Sequence, residues 1–297
     1  MRLTNLKTAD FKEVIMAKIF LMSAVLSILL LLLIFVFLFA NGLPAIGEIG
    51  LINFITGREW RPRDGTPAFG ILPMIATSIY TTLGAIVIGV PIGIFTAVFL
   101  AHMCPQWIYR FIKPAISLLA GIPSVVYGYF GMMVIVPQVR EINMRLFGNA
   151  TGATIFSAMV LLGIMILPTI INISETAIRA VPESYYQGAL ALGASHERSV
   201  FFVTVPAAKS GIFASIILGI GRAVGETMAV VMVAGNQPRI PTHLFQGGRT
   251  LTSNIVMEMG YADGLHSDAL VATGIVLLIF ILIINVIFTL VTRKTGQ

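Results

Sequence analysis

The chain has 297 residues, 57% of them hydrophobic and only 11% charged, with a mean hydropathy of +0.94. Soluble globular domains carry about 25% charged residues, so that class is excluded and a polytopic membrane protein is indicated. The net charge of +6 does not point to nucleic acid, because the charges avoid the apolar runs and are spread over many loops rather than one basic face. A single cysteine, Cys104, excludes an internal disulfide.

Met1 to Lys18 is a polar head with Arg2, Lys7, Lys12 and Lys18, followed by an uncharged run from Ile19 to Gly47. The apolar part of a cleaved signal is about 7–15 residues, and this run is roughly twice that without a clear A-x-A site. It is therefore read as a retained first span, 19–40. Residues 41–68 are rich in turn formers and charges, with Trp60 among Arg58, Arg61, Arg63, Glu48, Glu59 and Asp64, which predicts an exposed loop. Span two, 69–101, holds Gly89-x-x-x-Gly93 with Pro91 inside it, a pattern for close helix packing or a kink. A link with His102, Trp107, Arg110 and Lys113 precedes span three, 114–137, in which Gly121-Ile-Pro-Ser124 predicts a break. Broken backbone at membrane depth must be satisfied by neighbouring helices or a cavity, so this span is expected to face protein or water. A polar loop at 138–152 leads to span four, 153–174. Span five is placed at 207–235, a mixed polar loop at 236–267 and span six at 268–291.

Six spans put both ends on one side. That side carries Arg2, Lys7, Lys12, Lys18, Arg110, Lys113, Arg179, Arg198, Lys209, Arg293 and Lys294, against Arg58, Arg61, Arg63, Arg140, Arg145, Arg239 and Arg249 on the other. The positive-inside rule makes the first side cytoplasmic. The expected architecture is all-α, with six transmembrane helices and a cytoplasmic segment at 182–206. Its divisions are a head, first helix and external loop over 1–68, a transmembrane domain over 69–292 and a tail over 293–297.

The segment after Pro182 is too short and too polar to span a bilayer, so it lies in water beside the membrane. Pro182 suits a helix start, Glu183 its positive end, and Ala189, Leu190, Ala191 and Leu192 its body, while Gly193 ends or bends it. Span five then carries Gly221-Arg-Ala-Val-Gly-Glu226-Thr. Arg222 and Glu226, four residues apart, are expected on one face as the charges at depth. Each costs at least about 2.5–3.5 kcal/mol there without a partner or a wet pathway. They can offset part of this for each other. Gly221 and Gly225 sit on the neighbouring stripe, where another helix could approach closely, from this chain or from another subunit.

These residues carry a resemblance. Gln187-Gly188-Ala189, Gly193 and Val203-Thr-Val205-Pro206 resemble the cytoplasmic E-A-A…G…I-x-L-P loop of ABC-importer permeases. Gly221 to Asn236, with the later Thr250-Leu-Thr, is similar to the phosphate-specific branch and its PstC-type subunit. Gln187 departs from the usual glutamate, keeping hydrogen bonding but dropping a charge. The resemblance covers most of the chain from about Phe69 onward. It implies the type I importer fold and inorganic phosphate uptake by alternating access in an inner membrane. It also implies coupling to an ATPase dimer through Ser184, Tyr185, Gln187, Gly188, Ala189, Leu192, Gly193, Ala194 and Pro206. A sister permease of PstA type and a periplasmic phosphate-binding protein are the other implied partners. Along the pathway, Arg222 would contact the anion with Glu226 and Thr227 beside it, because guanidinium suits phosphate oxygens. An ion pair that only fixes helix packing is the plainer alternative. Ser124, Tyr127, Thr77 and Thr81 could add hydroxyls, although such groups often bond only their own helix.

No G-x-x-x-x-G-K-[ST] occurs, so ATP and Mg belong to another subunit. His102, His196, His243 and His266 show no ligand-like spacing, and no metal or cofactor is expected in this chain. A permease for molybdate, tungstate or sulfate would share the loop. A secondary anion transporter should instead show inverted halves with matched broken helices, and no such repeat is evident.

Overall fold

The computed structural model describes residues 3–295, with side chains over 13–287 and at Leu290. Of the charges counted above, Arg2, Lys7, Lys12, Arg293 and Lys294 lie outside the described side chains, as does the expected tail at 293–297. The helices are α1 (Leu3–Ile49), α2 (Leu51–Thr56), α3 (Leu72–Val98), α4 (Gln106–Gly121), α5 (Ser124–Phe130), α6 (Val136–Phe147) and α7 (Ile155–Arg179). They continue as α8 (Glu183–Ala191), α9 (His196–Ser199), α10 (Val205–Ala207), α11 (Lys209–Gly225), α12 (Met228–Val233), α13 (Leu251–Glu258) and α14 (Gly264–Thr295). Single π-helical turns at Phe99–Met103, Gly131–Ile135 and Val200–Thr204 join some of them. One short antiparallel pair, β1 (Trp60–Arg61) with β2 (Ala68–Phe69), is the sheet among the described residues.

Among those residues four helical stretches are long and apolar enough to cross a membrane: Glu13–Ile49, Leu72–Met103, Ile155–Arg179 and Gly264–Ile287. Counted as one broken span each, two bent pairs bring the number to as many as six. Gln106–Gly121 turns by 102° into Ser124–Phe147, and His196–Ala207 by 68° into Lys209–Gly225. The break expected at Gly121-Ile-Pro-Ser124 is therefore present, because Pro123 cannot continue the ladder and Ile122 turns extended (φ −69°, ψ 128°).

Glycines set the packing at the centre. The expected Gly89-x-x-x-Gly93 face of α3 lies on α7: a Cβ at Gly84 would fall 2.3 Å from Met159 Cγ, at Gly89 2.6 Å from Ile166 Cγ1 and at Gly93 2.7 Å from Ile170 Cγ2. Residue numbers rise together along the two helices, so α3 and α7 run parallel. Conversely, Gly211 meets Ala177 and Gly219 meets Ile170, so α11 runs antiparallel to α7. On the flank, Gly42 meets Ala272 and Ile275 while Gly274 meets Leu38, which makes α1 and α14 antiparallel. The start of α1, the end of α14 and the 182–206 segment consequently share one end of the bundle.

Several segments expected as loops are ordered. Over 41–68, α1 continues to Ile49, α2 follows, and Trp60 is buried against Phe69, because the turn formers there stop helices without preventing burial. The polar loop over 138–152 is helical to Phe147, where Gly148 takes φ +67° as a left-handed cap. Within 236–267, Thr250 accepts a hydrogen bond from Ser253 N at 3.2 Å and starts α13.

That last helix ends on a buried cluster at the opposite end from 182–206. The Glu258 carboxylate accepts from Trp60 Nε1 at 2.8 Å, lies 2.8 Å from His266 Nε2 and pairs with Arg249. Desolvation works against its charge, but the hydrogen bonds from Trp60, His266 and Arg249 and the Arg249 charge outweigh it and hold its pKa below the ordinary 4.5. A lowered folded-state pKa means that the charge stabilises fully above the unfolded value and less as pH falls through the folded one.

In the purified chain Gly89→Leu is expected to destabilise by about 1–3 kcal/mol or more, because the backbone of Gly163 leaves no room to relax. Thermal melting in detergent measures this, with Gly47→Ala, whose Cβ meets nothing within 4 Å, unchanged or slightly raised. In a Trp107→Phe background Trp60 is the single indole, so its emission is expected to shift as pH falls below 4.5. Glu258→Gln should abolish that transition.

Candidate functional site

The stretch around Gly225-Glu-Thr is a helix break inside the bundle. Helix α11 ends at Gly225, Glu226 is extended (φ −70°, ψ 131°), and α12 restarts at Met228. Residues 225–227 satisfy their own backbone. Glu226 Oε1 accepts from Thr227 N at 3.1 Å and Ala229 N at 3.2 Å, and Thr227 Oγ1 donates to Gly225 O at 3.2 Å. Thr252 Oγ1 reaches Glu226 O at 3.1 Å. Each bond replaces one that a continuous helix would have made, which is what an apolar surrounding requires.

This corrects the expected pairing. Because the helix stops at Gly225, Arg222 and Glu226 do not share a helical face, and span five is not continuous over 207–235. The Glu226 carboxylate is turned onto the start of α12 instead. Arg222, half-buried, donates from Nη1 to Thr169 Oγ1 at 3.3 Å, near the middle of α7. No carboxylate lies within 4 Å of its guanidinium among the described residues. Thr169 was not singled out in the sequence, since nothing local marks a threonine as facing an arginine 53 residues away.

The second break, at Gly121–Pro123, lies beside the first. Helix α5 packs on α12, with a Cβ at Gly128 falling 3.0 Å from Ala229 Cα. Ser124 opens α5 and is half-buried, while Tyr127 is buried and donates to Leu119 O at 2.8 Å across the bend. Thr77 and Thr81 are elsewhere: both are buried in α3, Thr77 under Gly248, and Thr81 donates to Thr77 O at 2.9 Å. Thr77 Oγ1 has no hydrogen-bond partner. Gly221 and Gly225 have nothing within 4 Å of a would-be Cβ, so no described helix of this chain occupies the stripe they form.

At the far end of α7 the chain leaves the bundle as α8, which contains no buried residue. Ser184, Tyr185, Gln187, Gly188, Leu192 and Gly193 are exposed, Leu192 to 91%, and Ala189 and Ala194 are half-buried. Gln187 Nε2 donates to Glu183 Oε1 at 3.0 Å one turn back. Gly193 adopts φ +86°, while its N–H bonds Leu190 O at 2.9 Å and that of Ala194 bonds Ala189 O at 3.1 Å. This is a Schellman closure, which a side chain with a Cβ resists. Tyr186 fastens the helix inward: its hydroxyl and His196 Nδ1 are 2.6 Å apart, and its ring stacks on His102. Exposed Pro206 lies in α10, at the 68° turn into α11.

A buried group that sequence reading passed over sits between these two places. Glu175 of α7, 1% exposed, lies one residue beyond the expected end of span four. It accepts from Tyr109 Oη at 2.8 Å, Lys113 Nζ at 2.6 Å and Arg179 Nε at 2.9 Å. The Glu175/Arg179 spacing of four was visible, but the partners on α4 required the tertiary fold.

Known proteins share this architecture. Residues 89–297 match the family described as binding-protein-dependent transport system inner membrane component. The chain is 36% identical over 258 residues to a probable ABC transporter permease protein, YqgH, of Bacillus subtilis, covering 84% of this chain and 82% of that one. It is 34% identical over 278 residues to a phosphate transport system permease protein, PstC, of Mesorhizobium japonicum, covering 88% and 84%. Its fold is similar to an inward-facing structure of the MetNI methionine ABC transporter, with a TM-score of 0.56 at 20% identity over 77% of this chain and 95% of that one.

Proposed function

Since the chain belongs to the family of inner-membrane components of binding-protein-dependent transport systems, and is thus a multi-pass permease subunit of an ABC importer, we propose that it carries inorganic phosphate. The observation that carries this reading is Arg222: a guanidinium at mid-membrane, half-buried beside two helix breaks, with no carboxylate within 4 Å among the described residues. Such a charge is stabilised by an anion that passes, and its fork of donors matches tetrahedral oxyanions. Tyr127 and Ser124 add hydroxyls on the facing helix, and Thr169 holds the guanidinium from behind. Glu226 acts at the break itself, keeping α12 in place next to the path. The phosphate permeases among the relatives favour phosphate over molybdate, tungstate or sulfate.

In this reading the open Gly221/Gly225 stripe is closed by a second permease subunit of PstA type, so that the path runs between two chains. The bundle end that carries the start of α1, the end of α14 and the 182–206 segment faces the cytoplasm, where α8 is the knob gripped by an ATPase dimer that holds ATP and Mg. A phosphate-binding protein docks on the opposite, periplasmic end, where Arg58, Arg61 and Arg239 border one cleft. Nucleotide at one end and the loaded binding protein at the other bias a two-state bundle.

Arg222→Gln is expected to lower phosphate uptake by roughly tenfold to a hundredfold, the loss of a charge-assisted contact of about 1.5–3 kcal/mol, with the complex still co-purifying with its ATPase. Radiolabelled uptake in vesicles measures it, and normal uptake would remove Arg222 from the path. Gly193→Val should leave the bundle intact but strain the φ +86° closure. ATP hydrolysis and uptake, measured together, are expected to lose their fixed ratio.

A further inference from the structure

Helix α4 joins the two regions described above. At its first half, Tyr109 and Lys113 converge on the buried Glu175 carboxylate, and Lys113 Nζ also donates to Asn172 Oδ1 at 2.8 Å. Arg179 completes the clasp. Its Nη2 donates to Leu100 O at 2.6 Å in the π-helical turn after α3, and its guanidinium lies 4.8 Å over the Tyr109 ring. Glu175 thus fastens α4 to α7 and to the end of α3 at the end of the bundle from which α8 projects. At the other end of α4, Leu119 O receives both Ile122 N at 3.3 Å and the Tyr127 hydroxyl at 2.8 Å. Those two bonds are made across the 102° turn. Pro123 and the extended Ile122 make the break. Gly121, at the turn, would meet nothing within 4 Å if it carried a Cβ, so no neighbouring element wedges that side of it, and the Tyr127–Leu119 bond ties the two arms together.

We propose that Glu175 is a positioning residue for the anion pathway, with α4, which carries Pro114 between the clasp and Leu119, as the lever that passes its hold through Leu119 to Tyr127 and Ser124 at the start of α5. The proposal rests on Arg222 marking the path. A buried ion cluster that only stabilised the fold would place no constraint on the Gly121–Pro123 turn. As a lever anchor, Glu175 makes the geometry at Ser124 depend on whether the clasp is closed, a route separate from the direct Thr169–Arg222 hydrogen bond between α7 and the pathway.

The test uses the assembled transporter in nanodiscs, with Cys104→Ser and Ser124→Cys, and reads the rate at which a charged, membrane-impermeant thiol reagent labels position 124. Glu175→Gln is expected to raise that rate by about fivefold or more, Tyr127→Phe to raise it similarly, and the double variant to exceed neither, because both cut one chain of contacts. Glu175→Asp should return the rate to within about twofold of the parent. Should Glu175→Gln fail to assemble, as loss of a buried partner can cause, Lys113→Met replaces it in the same cycle with the same expectation. Labelling unchanged in the assembled variants, or effects that multiply in the double variant, overturns the proposal. Normal uptake by Arg222→Gln alongside the expected labelling pattern would defeat the pathway reading alone and leave the lever standing.

Discussion

Inside a bilayer a backbone amide without a partner costs several kcal/mol, on the order of the strongest single interaction a side chain can offer. This chain interrupts its helices twice near one point, at Gly121–Pro123 and at Glu226–Thr227, and the residues at each interruption supply the missing bonds. Glu226 caps α12 with its carboxylate, Thr227 and Thr252 close the carbonyls of 225 and 226, and Tyr127 closes Leu119. The Gly-Glu-Thr run is therefore a satisfied break before it is anything else. Because Glu226 is occupied in this way, Arg222 is left without a carboxylate within 4 Å among the described residues, and the electrostatic character of the site follows from the backbone requirement.

The rest of the bundle holds those breaks in register. Parallel α3 and α7 touch through Gly84, Gly89 and Gly93, where Met159, Ile166 and Ile170 fill the space a side chain would need. Antiparallel α11 lies on the same face of α7 through Gly219, with Ser174 and Ser215 sharing a buried 2.7 Å hydrogen bond. Between them these contacts bring Thr169 and Arg222 together. No hydrophobic effect drives helices together in lipid, so close van der Waals contact and such polar pairs carry the association.

The two ends of the bundle are built differently, in keeping with different tasks. One end is capped by a buried polar cluster in which Glu258 ties the hairpin, α13 and α14 together. The other projects α8 with no buried residue, fastened by the Tyr186 hydrogen bond to His196 and the stack on His102. The Gly193 closure at φ +86° ends that helix.

The sequence alone determined that the protein lives in a membrane, where most of its spans run, that a break follows Gly121, that the α3 glycines mark close packing or a kink and that a short exposed helix ends or bends at Gly193. These are consequences of local chemistry: apolar run length, proline geometry, the missing Cβ and the left-handed preference of glycine. The relation between Arg222 and Glu226 was not legible, because four-residue spacing implies a shared face only if the helix continues, and whether it does depends on Thr252 and on the packing of α5. Likewise Glu175 read as the edge of a span until α4 folded over it with Tyr109 and Lys113, and Trp60 read as a loop residue until Glu258 and His266 enclosed it. Long-range partners of polar groups are set by the tertiary fold, since a donor and acceptor 62 or 198 residues apart leave no periodic trace in the chain.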